Sequence, residues 1–213
     1  MSAIDVNGSL QSQGSNSTSQ GSNVAEENGE SQRLDHPSVI VEDVVVDLQD
    51  ESSVRRLILN FKKIAAKNQE LRIKYPDDPI QFLDCDIELI MAIRDLQCLS
   101  DVPQFYALLV RLNAVSVLCQ LLLHPKCSIG SRVADLLFKM IEIETEPQYL
   151  TILIDALMDA QAPKCLLANL KRLNENNRED AISVYSTISV LVSIIEKTTN
   201  AADVAVQCGY VQW

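Results

Sequence analysis

The chain has 213 residues, of which 47% are hydrophobic and only 5% aromatic, and its formal net charge is −11 at pH 7. That length suits one domain plus a tail, and the many aliphatic side chains favour packed helices over an all-β sandwich. The negative charge argues against unassisted binding to a nucleic-acid backbone and favours basic partners such as Lys- and Arg-rich peptides. No apolar run approaches ~20 residues, so no membrane-spanning helix is predicted.

Residues able to carry catalysis or hold a metal are sparse and scattered. The only histidines are His36 and His124, and no pair of the six cysteines has CxxC spacing. Neither Gly130 nor Gly209, the two glycines beyond residue 32, opens a phosphate-binding loop or a nucleophile elbow. The sequence therefore predicts no enzyme, no cofactor and no metal site. In the absence of a signal peptide, the cysteines favour a reducing compartment.

The N-terminal segments differ in composition from the rest of the chain. Residues 1–37 are rich in Ser, Asn and Gln, and we expect a disordered tail because they cannot bury enough apolar area to offset the entropy of ordering. Residues 38–50 form a linker segment in which β-branched and acidic side chains alternate in short runs (SVIVEDVVVDL over 38–48). Two interpretations are open. The segment adds as a strand to a partner's sheet, in the manner of a SUMO-interacting motif, or it docks along the chain's own helices.

A strongly amphipathic helix is predicted over residues 51–74, with Ser52 or Ser53 as its cap. Its apolar positions are spaced by three and four residues and are Val54, Leu57, Ile58, Phe61, Ile64, Ala65 and Leu71. The candidate basic interaction face of this helix consists of Arg55, Arg56, Lys62, Lys63 and Lys67. Such a face is a candidate contact for RNA or for an acidic partner. The alternative is a basic surface that meets only solvent.

Helical patterns continue along the rest of the chain. One helix is predicted over 80–99, and the next begins with Asp101 as its cap. Two apolar helices then flank a break at Asn113, a third starts near Ser128, and a further one starts at Pro147. The last long helix has its predicted apolar stripe at Ile182, Tyr185, Ile188, Leu191, Val192 and Ile195.

Short breaks between apolar helices recur at a near-constant spacing. They fall at Asn113, Ala160 and Gly209, which are 47 and 49 residues apart. Armadillo and HEAT repeats have periods of about 40–47 residues. The predicted fold class is therefore all-α, an armadillo/HEAT-like helical solenoid over 51–213. Because the chain stops at Trp213, without the polar capping repeat that open solenoid ends need, we expect this domain to be truncated at its C-terminal end.

Several stretches go beyond a generic repeat. Residues 67–77 (KNQELRIKYPD), 108–115 (LLVRLNAV) and 153–157 (LIDAL) resemble the beta-catenin-like protein 1 family, and the resemblance covers roughly Val39 to Trp213. It implies an armadillo-like scaffold of the nucleus that associates with the spliceosome through the Prp19 and cell-division-cycle-5-like complex and takes part in pre-mRNA splicing. It also implies recognition of basic, nuclear-localisation-type segments of splicing factors, and no chemistry of the protein's own.

The chain departs from the family pattern at its N-terminus. The family's basic tail, which supplies a nuclear signal, is replaced by a neutral-to-acidic one, so import is expected to depend on a partner or on Arg55 to Lys74. The alternative function is that of a generic armadillo adaptor in nuclear transport or cytoplasmic signalling. A transport adaptor resembling importin-alpha would carry Trp and Asn repeatedly on its third helices, and here the only Trp is Trp213. No groove residue is marked by the sequence alone.

Overall fold

The computed structural model describes residues 50–142 and 146–198, and every regular element within these ranges is helical. The α-helices are α1 (Glu51–Lys74), α2 (Ile80–Asp95), α3 (Tyr106–Arg111), α4 (Ala114–Leu121), α5 (Cys127–Glu142), α6 (Pro147–Asp159), α7 (Ala162–Leu170) and α8 (Arg178–Lys197). Two 3₁₀ segments, Leu96–Asp101 and Pro103–Phe105, join α2 to α3. The predicted all-α class is confirmed. The predicted tail, the linker segment up to residue 49 and the break at Gly209 lie outside the described residues.

The helix starts correct two of the predicted caps. Asp50, and not Ser52 or Ser53, caps α1, because its Oδ1 accepts a hydrogen bond from the backbone N–H of Ser52 at 3.2 Å. Asp101 is the last residue of a 3₁₀ segment, and Val102 takes the following cap position without a side-chain bond. A side chain caps a helix from extended backbone, which Asp50 has and a residue already within a helical turn lacks.

Helices α3–α4–α5 and α6–α7–α8 are two three-helix repeats, and the α1–α2 hairpin precedes them. In each repeat a residue in the left-handed conformation joins the first helix to the second, namely Asn113 at φ 53° and Gln161 at φ 55°. They are the only non-glycine residues with positive φ in the described part of the chain. The equivalent of Asn113 is thus Gln161 and not Ala160, a separation of 48 residues. In sequence, Gly209 stands a further 48 residues on.

The left-handed residue turns the chain sharply. Segments 103–111 and 114–121 meet at 85° around Asn113. Asn adopts this conformation more readily than other non-glycine residues because its short polar side chain can hydrogen-bond to nearby backbone groups, and the longer side chain of Gln lacks that advantage. Among the described residues, no single helix is long and apolar enough to cross a membrane. The two segments on either side of Asn113 meet that length and composition only when taken together, and the chain bends by 85° between them.

One large apolar core joins both repeats to α1. Leu109 and Leu118 of the first repeat have no exposed surface. Their counterparts 48 residues later, Leu157 and Leu166, are also fully buried. The third helix of the first repeat, α5, packs against α2 on one side and against α8 on the other. The repeat register therefore places the same inward positions in the core twice.

The predicted apolar stripe of α8 is wrong at most of its positions. Exposed side chains include Ile182, Tyr185, Ile188 and Val192, whereas the buried face consists of Ser183, Val184, Ser186, Thr187, Val190, Leu191 and Ile194. The buried hydroxyls of Ser183 and Ser186 donate to carbonyls one turn earlier, at 3.3 and 3.2 Å. Because these hydroxyls find partners on their own helix, their burial costs little. Hydropathy alone therefore selects the wrong face of α8.

Candidate protein-interaction site

Helix α2 and the third helices of the two repeats, α5 and α8, form a groove of about 610 Å³, which we call the third-helix groove. Its walls include Arg94 from α2, Arg132 and Phe138 from α5, and Ile182 and Tyr185 from α8. A segment lying in this groove contacts the hairpin and both repeats at once. Binding there consequently depends on how the three units stack and not on any one of them.

Aromatic and aliphatic side chains make the C-terminal wall of this groove apolar. Tyr185 is 63% exposed and Ile182 is 56% exposed. The ring of Phe138 meets that of Tyr185 edge to face, with centroids 5.5 Å apart and planes at 79°, which is a favourable aromatic geometry. Phe138 thus holds the tyrosine ring in place. An apolar patch inside a groove and rimmed by charges is typical of a protein-interaction site.

The charged residues of the third-helix groove have both signs. They are Arg94, Arg132, Lys139, Asp135 and Glu142. The Oδ1 atom of Asp135 is buried and has no hydrogen-bond partner among the described residues. A buried carboxylate oxygen without a donor is costly, and Asp135 is one of the two acids that line the groove. The overall acidity of the chain is not concentrated in this groove.

Two residues of the candidate basic interaction face are paired with acids. The guanidinium of Arg55 lies 3.4 Å from the carboxylate of Glu51, and the ammonium of Lys67 lies 2.9 Å from that of Glu88. The hydrogen bond and the charge of Glu88 raise the pKa of Lys67. Both pairs are exposed, so they add little to stability, but they reduce the positive charge that α1 presents to a partner.

The other three residues of that face divide into one structural lysine and two exposed bases. Lys62 is half-buried, and its Nζ donates to the carbonyl of Leu112 at 2.6 Å, which ties α1 to the turn before α4. Arg56 makes only a long bond to the Ser53 hydroxyl, at 3.4 Å. Arg56 and Lys63 are exposed and form no ion pair with any described residue. The interaction role of the basic face stays a prediction, and these two residues are its most accessible charges.

A buried polar cluster, absent from the sequence predictions, connects α1 to α2. Arg72 donates to both carboxylate oxygens of Asp86, at 2.6 and 2.7 Å, and Asn68 donates to one of them at 2.7 Å. Burial by itself raises the pKa of Asp86. The hydrogen bonds from Asn68 and Arg72 and the positive charges of Arg72 and Lys126 outweigh that effect, so the net pKa is lowered. Asp86 is therefore a charged, fully partnered acid, as a buried carboxylate must be.

The same cluster extends through the following units. The Nδ1 of His124 accepts from the backbone N–H of Lys126 at 3.1 Å, so its Nε2 carries the proton and donates to Asn68 Oδ1, also at 3.1 Å. One repeat later, Arg172 donates to the carbonyl of His124 at 2.8 Å. Since His124 and Arg172 are 48 residues apart, equivalent loop positions form a polar ladder from Asn68 to Arg172. The sequence does not predict this role for His124. It shows only that His124 stands at a helix end, beside Pro125.

Burial holds the thiol of Cys119 and the phenol of Tyr106 in their neutral forms. Burial raises the pKa of Cys119 to about 12 and that of Tyr106 to about 12. The Tyr106 hydroxyl donates to the carbonyl of Met140 at 2.9 Å, so it is a packing residue. Within residues 50–142 and 146–198, no group of three or more His, Cys, Asp or Glu side chains is placed to hold a metal.

Comparison with known proteins gives consistent matches. The family model described as "Catenin-beta-like, Arm-motif containing nuclear" matches residues 38–213. Beta-catenin-like protein 1 of Mus musculus is 39% identical over 167 residues, and that of Homo sapiens is 38% identical over the same length, in each case 77% of this chain and 30% of the relative. The beta-catenin-like protein 1 homolog of Schizosaccharomyces pombe is 28% identical over 156 residues, or 73% of this chain and 28% of the relative. The chain thus spans under a third of the length of these relatives.

Proposed function

The chain belongs to the catenin-beta-like family of Arm-motif nuclear proteins, and we propose that it serves there as a non-enzymatic interaction scaffold associated with the spliceosome. Membership confirms the predicted family, armadillo-like fold and nuclear class. The finer proposal is that the chain binds splicing factors of the Prp19 and cell-division-cycle-5-like complex during pre-mRNA splicing. It takes its support from the sequence resemblance and from the third-helix groove.

The observation that carries the proposal is the exposed apolar wall of that groove. Ile182 and Tyr185 lie on α8 with more than half of their surface exposed, although α8 has a buried face of its own. Large apolar side chains on a groove wall gain free energy when a partner covers them. The raised pKa values of the buried thiols and phenol give no support to an enzymatic alternative.

A preference for basic segments is the second part of the proposal. Asp135 and Glu142 line the groove, and their carboxylates would attract a Lys or Arg side chain of a bound segment. The bases Arg94, Arg132 and Lys139 in the same groove limit this preference. We therefore expect binding of segments in which basic residues alternate with apolar ones, and weak binding of purely basic peptides.

The apolar wall is tested by affinity capture from nuclear extract with the full chain as bait. The wild type should recover proteins of the Prp19 complex, identified by mass spectrometry. The double variant Ile182→Ser/Tyr185→Ala should recover several-fold less. Ile80→Ser is the matched control, because Ile80 is an 80% exposed isoleucine that does not line the groove. Recovery of only cytoplasmic proteins by the wild type, or equal recovery by both variants, would contradict the proposal.

The charge preference is tested with pairs of fluorescent peptides that differ only by Lys and Arg replaced with Gln. The full chain should bind the basic member several-fold more tightly, and Asp135→Asn should remove most of that difference. A preference that persists in the Asp135→Asn variant would assign it to another part of the surface.

The candidate basic interaction face needs a separate test. Replacing Arg55, Arg56, Lys62, Lys63 and Lys67 with Gln removes all five charges. Arg56→Gln/Lys63→Gln removes only the two that are exposed and form no ion pair with a described residue. If the face binds RNA or an acidic partner, the double variant should lose most of the binding seen in a gel-shift or titration. A labelled RNA that still shifts with the five-residue variant would exclude α1 as the cause.

A further inference from the structure

A second groove, of about 440 Å³, lies between α1 and α4, and we call it the α1–α4 groove. One of its walls is a face of α1 that runs from Lys62 to Ile73. The other consists of residues of α4 and of the loop after it, among them Val117, Leu121 and Leu123. None of the residues that line this groove also lines the third-helix groove. The protein thus presents a second, separate groove.

The two grooves belong to different rows of helices. Helix α1 packs against α4 and α4 packs against α7, whereas α2 packs against α5 and α5 packs against α8. The α1–α4 groove lies in the first row and the third-helix groove lies in the second. Because the two have no lining residue in common, a partner bound in one leaves the lining of the other free.

Apolar side chains on both walls of the α1–α4 groove remain exposed to solvent. Ile73 on α1 is 74% exposed, and Leu123 in the loop after α4 is 47% exposed. The lining also includes Ala65 and Leu121, which belong to the apolar core. A partner that covers Ile73 and Leu123 would therefore extend the core outwards and gain free energy of burial. Such a partner needs aliphatic side chains of its own.

The lining of this groove is positively charged, although the chain as a whole carries −11. Lys62 and Arg72 line it, and in the part of the chain that the structure describes no carboxylate is among its lining residues. Lys62 donates to the carbonyl of Leu112. That acceptor is neutral, so the charge of Lys62 stays available to an acidic ligand.

Two further bases stand beside the groove. Lys126 shares the carboxylate of Asp86 with Arg72, at 3.6 and 2.6 Å, so one acid balances two bases. Arg172 donates to the carbonyl of His124, a lining residue, at 2.8 Å, and forms no ion pair with a described residue. An acidic segment would supply the carboxylates that this group of bases lacks.

The walls of the groove favour a helix as the occupant. Every regular element in the described ranges is helical, so these walls offer no strand edge to which an extended chain could add. A helix makes its backbone hydrogen bonds internally and can pack beside α1 through apolar side chains at i, i+3, i+4 and i+7. Lys62 and Ile73 lie about 16 Å apart along α1, a distance that about three turns of such a helix cover.

We propose that the α1–α4 groove binds an amphipathic helix of a partner protein, with an aliphatic face and with Glu or Asp on its flanks. The aliphatic face covers Ile73 and Leu123, and the acids face Lys62 and Arg172. This partner differs in charge from the basic segments proposed for the third-helix groove. With both grooves occupied, the chain holds an acidic partner and a basic one at the same time, so it can bridge two proteins.

The test uses the full chain and three fluorescent peptides of about 16 residues, a length at which a peptide can form a helix. The acidic probe carries leucines at i, i+3, i+4, i+7 and i+11, with glutamates on both flanks. The neutral probe has every glutamate replaced by glutamine, and the scrambled probe has the acidic composition with its leucines spread around the helix. Fluorescence anisotropy should show the acidic probe bound at least about fivefold more tightly than either control, with an affinity that falls as salt is added.

Matched variants locate the bound acidic probe. Ile73→Ser and Leu123→Ser should each weaken its binding about tenfold, whereas Ile80→Ser, at an exposed isoleucine outside the groove, should not. Lys62→Gln should weaken it about two- to fivefold. Lys63→Gln is the control for charge, because Lys63 is an exposed neighbour that does not line the groove. Thermal unfolding followed by circular dichroism reports whether each variant is folded.

A further variant separates this site from the third-helix groove. Ile182→Ser/Tyr185→Ala removes the apolar wall of the third-helix groove and should bind the acidic probe as tightly as the wild type does. Loss of the probe in this double variant would place it in the third-helix groove and overturn the proposal.

Other results would also overturn the proposal. Equal affinity for the acidic and neutral probes would remove the charge preference, and binding of no probe would mean that the groove takes no such helix. Unchanged affinity in both Ile73→Ser and Leu123→Ser would place the probe on another surface. A dimer in sedimentation runs without probe, abolished by Leu123→Ser, would identify a second copy as the occupant. A labelled RNA that the wild type binds and Lys62→Gln does not would identify the ligand as a nucleic acid.

Discussion

The repeat α3–α4–α5 and the repeat α6–α7–α8 share a 48-residue register but differ in how their third helices are covered. In the first, α5 lies between α2 and α8, and it has no large exposed apolar side chain among the described residues. In the second, α8 exposes Ile182, Tyr185, Ile188 and Val192. Among the described residues, the neighbours of each third helix, and not the register, therefore account for this difference in exposure.

The loops after the second helices show the same asymmetry. His124 in the first repeat and Arg172 in the second are equivalent by register, and each reaches back to the preceding unit. His124 donates to an amide oxygen and Arg172 donates to a backbone carbonyl. One structural task, tying a loop to the unit before it, is thus performed by different chemistry in the two repeats. Apolar positions repeat faithfully because they fill similar space, whereas polar positions adapt to whichever group faces them.

The largest loss of stability is expected at a position that is a fully buried leucine in both repeats. Leu118→Ala and Leu166→Ala each remove a fully buried leucine at the same register position. Each should lower the free energy of unfolding by about 2–5 kcal/mol, through lost burial and a residual cavity. Urea unfolding of the full chain measures both, with exposed Arg55→Ala as the control that changes stability by no more than about 0.5 kcal/mol. Widely different costs for the two leucines would break the equivalence of the repeats.

A smaller but specific effect is expected at Gly130, where the repeats touch. A Cβ on Gly130 would lie 2.7 Å from Asn169 Oδ1 and 2.8 Å from the carbonyl of Leu122. The carbonyl is backbone at the end of α4, so it cannot move freely. We expect Gly130→Ala to cost about 1–3 kcal/mol through overpacking, in spite of the better helix propensity of alanine. A gain in stability in thermal unfolding would show that α4 and α5 separate easily.

The polar ladder predicts a pH dependence that belongs to the first repeat alone. Burial, and then the charge of Arg72, lower the pKa of His124 in the folded state below its ordinary value of 6.5. As pH falls through 6.5, the unfolded chain takes up a proton that the folded chain refuses, so stability decreases. The wild type should therefore lose more stability than His124→Gln between about pH 7.5 and 5.5. Parallel curves for the two proteins would mean that His124 titrates normally.

The smallest change in stability is expected at Asn113 and Gln161, the two residues in the left-handed conformation, and it should differ between them. Gln161→Gly relieves the strain of a side chain at φ 55° and should raise stability by up to about 1 kcal/mol. Asn113→Gly, at φ 53°, should change it less because Asn already tolerates this conformation. Thermal unfolding of the two variants provides the comparison. Destabilisation by Gln161→Gly would show that the Gln161 side chain contributes contacts worth more than the strain.

The sequence by itself determined the helices, the break at Asn113 and the repeat period to within one residue. These features are local: apolar residues spaced by three and four predict helices, and a helix boundary is set by the residues around it. The limits of α1 and its buried face were predictable for this reason. The family was predictable too, because residues 67–77 (KNQELRIKYPD) form a specific sequence that helix packing does not require.

Tertiary structure decided which faces are buried and where the grooves lie. The predicted stripe of α8 was wrong because the serines on the opposite face satisfy their hydroxyls within the helix, a compensation that hydropathy does not count. Asp86 and His124 likewise became partners of Asn68 across 18 and 56 residues. Such polar contacts depend on three-dimensional proximity, and no local pattern encodes them. The third-helix groove arises in the same way, from the stacking of units that are distant in sequence.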